Sequence, residues 1–529
     1  MSDSLFGENT FKANILENLT TGMYHDSKVI YREYIQNACD SIDKAVESGM
    51  FQSAKKGIIE IWIDVDNRSI TIEDNGPGLS VDDFTKMLTT IGGSEKQFGT
   101  NKGFRGMGRL CGLGYCTTLL FTSSAKGESI ESILTCDAVT MRNMINEHNT
   151  HTKDYTAIEV LRATTSITTR PTDDVDGHFF RVKLIGISAS NKDLLDKKQV
   201  QDYLTFVAPV PYRNTFVLRH MIYKHADTLN LIIDEYSIKF EGEPIYKDYK
   251  PTVVTSKGED TITDVDFYDF RNNDGKLIAW LWFGITKFQA VLKKDCKERG
   301  IRLRKENIQI GNDDALQKLF NEDRGQHYFV GEVFAVDREL IPNSQRDYFN
   351  ENDARAEFEA LLKLFFNGTL SKIYKDGSTL NAAIADINKA NRLAEQIAET
   401  QAKGTQVDQK LHEQYESARQ KAERKQKSLE KITEQVTKKI DSGEFQPTDM
   451  VVHSIIEQIA SPSLSALILT SHTEKSATPV SQKVATNPVH KQPKSPRMVS
   501  LEKVKEVILR NAKTDIANLL IAKIEEETK

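Results

Sequence analysis

The chain has 529 residues, 39% hydrophobic and 28% charged, with a net charge of −6. At about 150 residues per domain there is room for roughly three or four domains. The acidic balance excludes a globally basic nucleic-acid binder but leaves local basic patches open. Five cysteines (Cys39, Cys111, Cys116, Cys136 and Cys296) are irregularly spaced and form no zinc or redox motif, which points to a reducing compartment. The first residues carry no signal pattern, and no apolar run of about 18 residues occurs, so the expectation is a cytoplasmic protein with no membrane partner.

Asn14 to Met23 has a short helical pattern. The stretch Tyr31 to Ala45, YREYIQNACDSIDKA, predicts an amphipathic helix. Glu33, Asn37 and Asp40 fall at i, i+4 and i+7 on one face. Ile35, Ala38, Ile42 and Ala45 fall on the other. Taken alone, this is an ordinary helix with a solvated polar face.

Ile58 to Val65 alternates, Asp66 to Arg68 makes a turn, and Ser69 to Asp74 returns, which predicts a hairpin. Ile70, Ile72 and Asp74 share one face by the period of two. The apolar side therefore ends in a carboxylate, directly before Asn75-Gly76-Pro77-Gly78. A carboxylate in phase with a core face needs a partner, whereas a lone D-x-G-x-G is more often a tight turn with a solvated aspartate. Gly99 to Tyr115, GTNKGFRGMGRLCGLGY, holds six glycines in seventeen residues, with Lys102, Arg105 and Arg109 among them. Glycines expose backbone N–H groups to phosphate oxygens. The spacing Gly103, Gly106, Gly108 is weak by itself and fits a flexible loop equally well; it is neither a Walker loop nor a dinucleotide fingerprint.

The ordered set E-x-x-x-N on a helix, D-x-G-x-G after a strand, then G-x-x-G-x-G resembles the GHKL (Bergerat-fold) ATPase superfamily. That group includes HtpG-type chaperones, MutL-type repair proteins, type II topoisomerases and sensor histidine kinases. REYIQNACDSIDK and IGGSEK resemble the chaperone members in particular. The resemblance implies ATP and Mg²⁺ as cofactors, with Glu33 as general base and Asn37 as the metal ligand. It implies that Asp74 accepts from the adenine amino group, with Gly76 and Gly78 letting the base lie against the backbone. It implies an ATP lid over 92–108, in which Lys102, Gly103, Arg105, Gly106 and Gly108 meet the phosphates; Asp40 is a neighbour of the nucleotide. Relatives commonly begin a later strand with Gly-Thr, and the threonine supports the adenine-binding aspartate. Here Gly177-His178 stands at that point, so Thr168, Thr169 or another group would take the role.

Val200 to Tyr212 reads as a short helix stopped by prolines, followed by strands over 229–240 and 277–288. The run LIPNSQRDYF resembles the chaperone middle-domain loop that sends a basic residue to the γ-phosphate, which makes Arg346 the candidate; Arg302 and Arg304 are alternatives. Residues 351–374 and about 380–439 are helical in pattern, the latter as a hairpin or irregular coiled coil. A further helical pattern over 448–469 precedes the Ser/Thr/Pro/Lys-rich stretch 471–500, which reads as a linker.

The expected architecture is α+β: an ATP-binding α/β sandwich over 1–195, a β-α-β middle domain over 196–366, a helical region over 367–470, the linker, and an amphipathic helix over 501–529. The expected function is a conformational ATPase, chaperone-like or clamp-like, that dimerises at least transiently and acts on a protein or nucleic-acid client. A MutL- or topoisomerase-like nucleic-acid ATPase, an antiviral defence ATPase and a non-catalytic ATP-dependent scaffold are the alternative readings. A histidine kinase fits poorly, because no histidine helix precedes the motif.

Overall fold

The computed structural model describes residues 11–20, 26–90, 108–443, 449 and 452–453. Helix α1 (Asn14–Thr20) precedes α2 (Val29–Glu47), which contains the predicted helix. The alternating runs form β1 (Ile58–Asp64) and β2 (Ser69–Asp74), an antiparallel pair with Ile59 opposite Asp74 and Ile61 opposite Ile72. Val65 lies beyond the strand and is exposed. There follow α3 (Val81–Thr89), β3 (Thr118–Ser124), β4 (Ile130–Asp137), α4 (Ala138–Asn149), α5 (Ala157–Thr164), β5 (Thr165–Pro171) and β6 (Phe179–Ile185). Apolar periodicity does not announce α3, α4 and α5, but their caps do. Ser80 and Asp137 accept from the first-turn amides, and Thr156 with Glu159 forms a reciprocal capping box.

The first sheet continues past residue 195. After α6 (Lys197–Val207) and α7 (Arg219–Thr228), β7 (Ser237–Phe240) and β8 (Glu243–Pro244) join its edge, β7 running parallel to β1. Of the strand expected over 229–240, only this end pairs. The order is β5-β4-β3-β6-β2-β1-β7-β8. Helix α2 lies against β1 and β2, and α4 against β3. They close a core of Ile30, Ile35 and Ile42 on Ile59, Ile61, Ile70 and Ile72.

A small hairpin of β9 (Thr252–Thr255) and β10 (Gly258–Thr261) leads to a second sheet. Its strands are β11 (Asp264–Arg271), β12 (Leu277–Ile285), β13 (Gly300–Lys305), β14 (Ile308–Ile310) and β15 (Val330–Ala335), in the order β11-β12-β15-β13-β14. β13 and β15 are parallel; β14 and two 3₁₀ turns, Gln317–Leu319 and Gly325–Tyr328, lie between them in the chain. Glu332 of β15 is fully buried at the centre. It accepts from Tyr249 Oη (3.0 Å), Lys247 Nζ (3.1 Å) and Trp282 Nε1 (3.3 Å), and also from Tyr212 and Arg304. Burial would raise this carboxyl, but Arg304 and then Lys247 outweigh it and hold the carboxyl down at about 2.

The rest is helical: α8 (Asp353–Phe365), a π turn over Phe366–Leu370, α9 (Ser371–Ala402) and α10 (Gln409–Ser442). α9 and α10 pack as a hairpin. Leu380, Ala383, Ile387 and Ala390 face Ala418, Ala422, Leu429 and Val436 at coiled-coil spacing, with Lys425 and Asp386 bridged at 2.8 Å. The chain is thus α+β, sheet-rich at its N-terminal side and helical towards the C-terminal side. The stretches expected as linker (471–500) and terminal helix (501–529) lie outside the described residues.

Removing one partner from a buried charge cluster leaves the others uncompensated, so Glu332→Ala should lower the unfolding free energy by about 3–5 kcal/mol. Urea denaturation followed by tryptophan fluorescence reads this, since Trp282 touches the cluster. The folded carboxyl titrates at about 2, below its unfolded value of about 4.3. Its stabilisation is therefore full above about pH 4.3 and is lost as pH falls through 2; the variant should lose that part of the acid limb.

Candidate functional site

The polar stripe of α2 is not solvated. Arg32, Glu33, Gln36 and Asp40 are buried together with the apolar face, and Asn37 is half-buried. Arg32 explains part of this. Its Nη1 and Nη2 donate to the carbonyls of Arg346 (3.3 Å) and Gln345 (3.1 Å). Those carbonyls sit on a tight loop in which Pro342 bridges Phe349 and Arg346 takes the left-handed conformation at φ 54°. Arg346 Nε lies 3.0 Å from Glu33 Oε1. The contact is one of charge, because the N–H is not aligned on the oxygen. Among the described residues, Glu33 Oε1, Arg32 Nε and Gln36 Oε1 are buried without a hydrogen-bond partner. Three such atoms on one helical turn mark a place suited to water or a ligand.

The second part of the site is the turn after β2. Asp74 is buried and accepts from Gly76 N–H (3.0 Å). Ser41 Oγ of α2 lies only 2.0 Å from where a Cβ on Gly76 would stand, so helix and turn touch here. Gly78 has φ +68°, and a Cβ there would lie 1.9 Å from the Ser124 carbonyl oxygen. Leu79 N–H donates to Ser123 Oγ (2.8 Å), which itself donates to the Phe179 carbonyl (2.8 Å). His178 Nδ1 is 2.8 Å from the Gly76 carbonyl. Thr168 and Thr169 do not reach this turn. They pair with Ile133 and Ser132 on β5, the far edge strand, which β4, β3 and β6 separate from β2.

The third part is the segment Gly108–Gly114, a 3₁₀ turn against α2. Gly108 lies against Glu33: a Cβ there would stand 2.4 Å from Glu33 Oε2. Tyr34 Oη donates to the Arg109 carbonyl (3.0 Å) and accepts from Gly112 N–H (3.1 Å). Burial, then the nearby Glu33 charge, push the Cys111 thiol well up, so it stays protonated. Lys102, Gly103, Arg105 and Gly106 lie outside the described residues.

Arg302 and Arg304 are engaged elsewhere. Arg302 Nη1 donates to Gln309 Oε1 (3.0 Å) and its guanidinium lies over the Phe206 ring. Arg304 belongs to the Glu332 cluster and donates to the Phe206 carbonyl (2.7 Å). No group of three His, Cys, Asp or Glu that could hold a metal occurs among the described residues. Asn37 offers one amide oxygen, a ligand type that Mg²⁺ accepts beside phosphate oxygens and waters.

The sequence reading gives no role to Arg32 or Ser41, and it names His178 only as the residue standing where relatives carry threonine. For Ser41 a signal existed, since it follows Glu33 and Asn37 at i+8 and i+4 on the same stripe. For Arg32 none did, because its partners are 313 and 314 residues away.

Gly78→Ala should be strongly destabilising, by about 2–4 kcal/mol, because the left-handed backbone penalises a Cβ and the Ser124 backbone cannot yield. Gly127→Ala, at φ +93° with open space around it, should cost only the backbone part. Thermal unfolding of the two variants side by side checks this.

A family model described as "Histidine kinase-, DNA gyrase B-, and HSP90-like ATPase" matches residues 25–170. The chain is 32% identical over 85 residues to the "Chaperone protein HtpG" of Streptomyces coelicolor, which covers 15% of this chain and 13% of that protein. It is 36% identical over 84 residues to the protein of that name from Mesorhizobium japonicum, again 15% and 13%. The Campylobacter jejuni protein of that name is 35% identical over 82 residues, 15% and 14%. The chain thus spans less than a sixth of the length of these relatives. Motif order, fold and sequence likeness agree over one part of the chain: residues 25–170 form a GHKL-type, HtpG-like ATPase domain.

Proposed function

We propose that this protein is a Mg²⁺-dependent ATPase whose nucleotide state drives a chaperone-like conformational cycle on a protein client, with transient dimerisation through its first domain. The observation that carries this reading is the meeting of Glu33 with Arg346. A buried carboxylate on the helix of the ATPase domain is touched by a guanidinium from the loop after the second sheet.

In this reading Asp74 accepts the adenine amino group, and the backbone at Gly76 and Gly78 lies against the base. Asn37 would hold Mg²⁺ together with phosphate oxygens, and the ion would neutralise phosphate charge. Glu33 polarises the water in line with the γ-phosphate. Arg346 offsets charge that develops on the transferred group, a role worth about 10³–10⁵ in rate in other phosphoryl-transfer enzymes. A γ-phosphate beside Glu33 competes for the same guanidinium. Arrival of nucleotide is thereby coupled to the position of the 341–349 loop, and through it to the second sheet.

Glu33→Ala should keep ATP binding while hydrolysis falls by about 10²–10⁴. Phosphate release and equilibrium nucleotide binding, measured on the same preparation, check this; undiminished turnover would remove Glu33 from the mechanism. Arg346→Ala should slow turnover by at least about tenfold, with the loss in kcat; a normal kcat would leave Arg346 as a structural partner of Glu33 alone. Suppression of client aggregation that requires ATP supports the chaperone reading. Salt-sensitive retention on DNA instead would favour a nucleic-acid clamp.

A further inference from the structure

The peptide unit that joins Gly76 to Pro77 has only one hydrogen-bonding group. Proline carries no N–H, so the Gly76 carbonyl alone can anchor the tilt of that plane. His178 Nδ1 lies 2.8 Å from this carbonyl. A carbonyl can only accept, so Nδ1 bears the proton, and in the neutral ring Nε2 is left as an acceptor. Strand pairing builds the contact. Asp74 stands opposite Phe180 at the end of the β2–β6 register, and the His178–Gly76 contact lies just beyond it. The Phe51 ring flanks the imidazole at 6.1 Å and 55°.

The turn is held residue by residue. Asn75 Oδ1 accepts from Ile58 N–H (2.6 Å), and Asn75 N–H donates to the Ile58 carbonyl (3.2 Å). Gly76 N–H goes to Asp74 Oδ1 (3.0 Å) and Gly76 C=O to His178. Leu79 N–H goes to Ser123 (2.8 Å). Gly78 has no room to follow a rotation of the plane before it, because the Ser124 and Phe179 carbonyls enclose it. Without the imidazole the Gly76 carbonyl loses this anchor, and Gly76, whose N–H reaches Asp74, is held from one side fewer.

We propose that His178 is a positioning residue of the nucleobase subsite: it locks the Gly76–Pro77 peptide plane and so aims the Asp74 carboxylate at an exocyclic amino group. This inference rests on the ATP-binding reading above. A carboxylate held in one direction attracts the amino group of adenine and repels the oxygen that guanine carries at the same place. The brace therefore sets the choice of adenine over guanine, and not only the strength of binding.

The test is equilibrium binding of ATP and of GTP to the full-length chain, with KM and kcat for ATP and the thermal midpoint recorded for each variant. His178→Ala should weaken ATP binding about tenfold, the weight of one hydrogen bond, and reduce the ATP-over-GTP preference; the loss should fall on KM more than on kcat. His178→Asn should restore most of the affinity and preference, because its amide nitrogen can take the place of Nδ1. His178→Gln, which mimics Nε2, should not. ATP binding and preference unchanged in His178→Ala would overturn the proposal, as would rescue by Gln in place of Asn. If the alanine variant does not fold, the Asn and Gln pair decides by itself. Failure of the unsubstituted chain to bind ATP would overturn the ATPase reading, and this inference with it.

Discussion

A charge buried in a helix that is packed on all sides must find its counter-charge within the fold, because an unpaired one is too costly to bury. Helix α2 obeys this constraint, and the relation between the two sheets follows from it. Arg32 and Glu33 are both about 5% exposed. Their partners are the Gln345 and Arg346 carbonyls and the Arg346 guanidinium, from the loop beyond β15. At the other end of the helix Asp43 accepts from Tyr236 Oη at 2.7 and 2.8 Å, just before β7. The ATPase-domain helix is thus tied at both ends to chain that lies past the expected domain boundary.

This tie gives the proposed conformational cycle a physical route. Asp234, two residues before Tyr236, offers its carbonyl to Asn307, whose side-chain oxygen accepts from Lys247 Nζ (2.6 Å). Lys247 in turn faces Glu332. Burial, then repulsion by Arg304, pull the Lys247 ammonium down to about 7, against the opposing attraction of the Glu332 carboxylate. The chain of contacts runs from α2 to the centre of the second sheet, and its Tyr236, Asn307, Lys247 and Glu332 are buried. Such groups rearrange between discrete states more readily than they deform continuously.

The turn after β2 has a different logic. Beyond Asp74 the turn is satisfied one group at a time, by the Ile58 backbone of β1, the Ser123 side chain of β3 and His178 just before β6. The glycine at 78 is required because two carbonyls occupy the space that a side chain would need.

Much of this was legible in the sequence. The period of 3.6 defined α2, the period of two put Asp74 on the core face of β2, and the ordered motifs with their local likeness pointed to the ATPase domain, since these are properties of residues close together in the chain. The α9–α10 hairpin also followed from local pattern. Tertiary structure decided the rest. It buried Arg32, Glu33, Gln36 and Asp40 of α2 and left Asn37 half-buried. It excluded Thr168 and Thr169 from the turn by placing them on the far strand, and it set His178 there through the β2–β6 register. It bound Arg304 into the Glu332 cluster and left Arg346 beside Glu33. Each of these outcomes depends on strand order or on a contact across hundreds of residues, and no local periodicity encodes either.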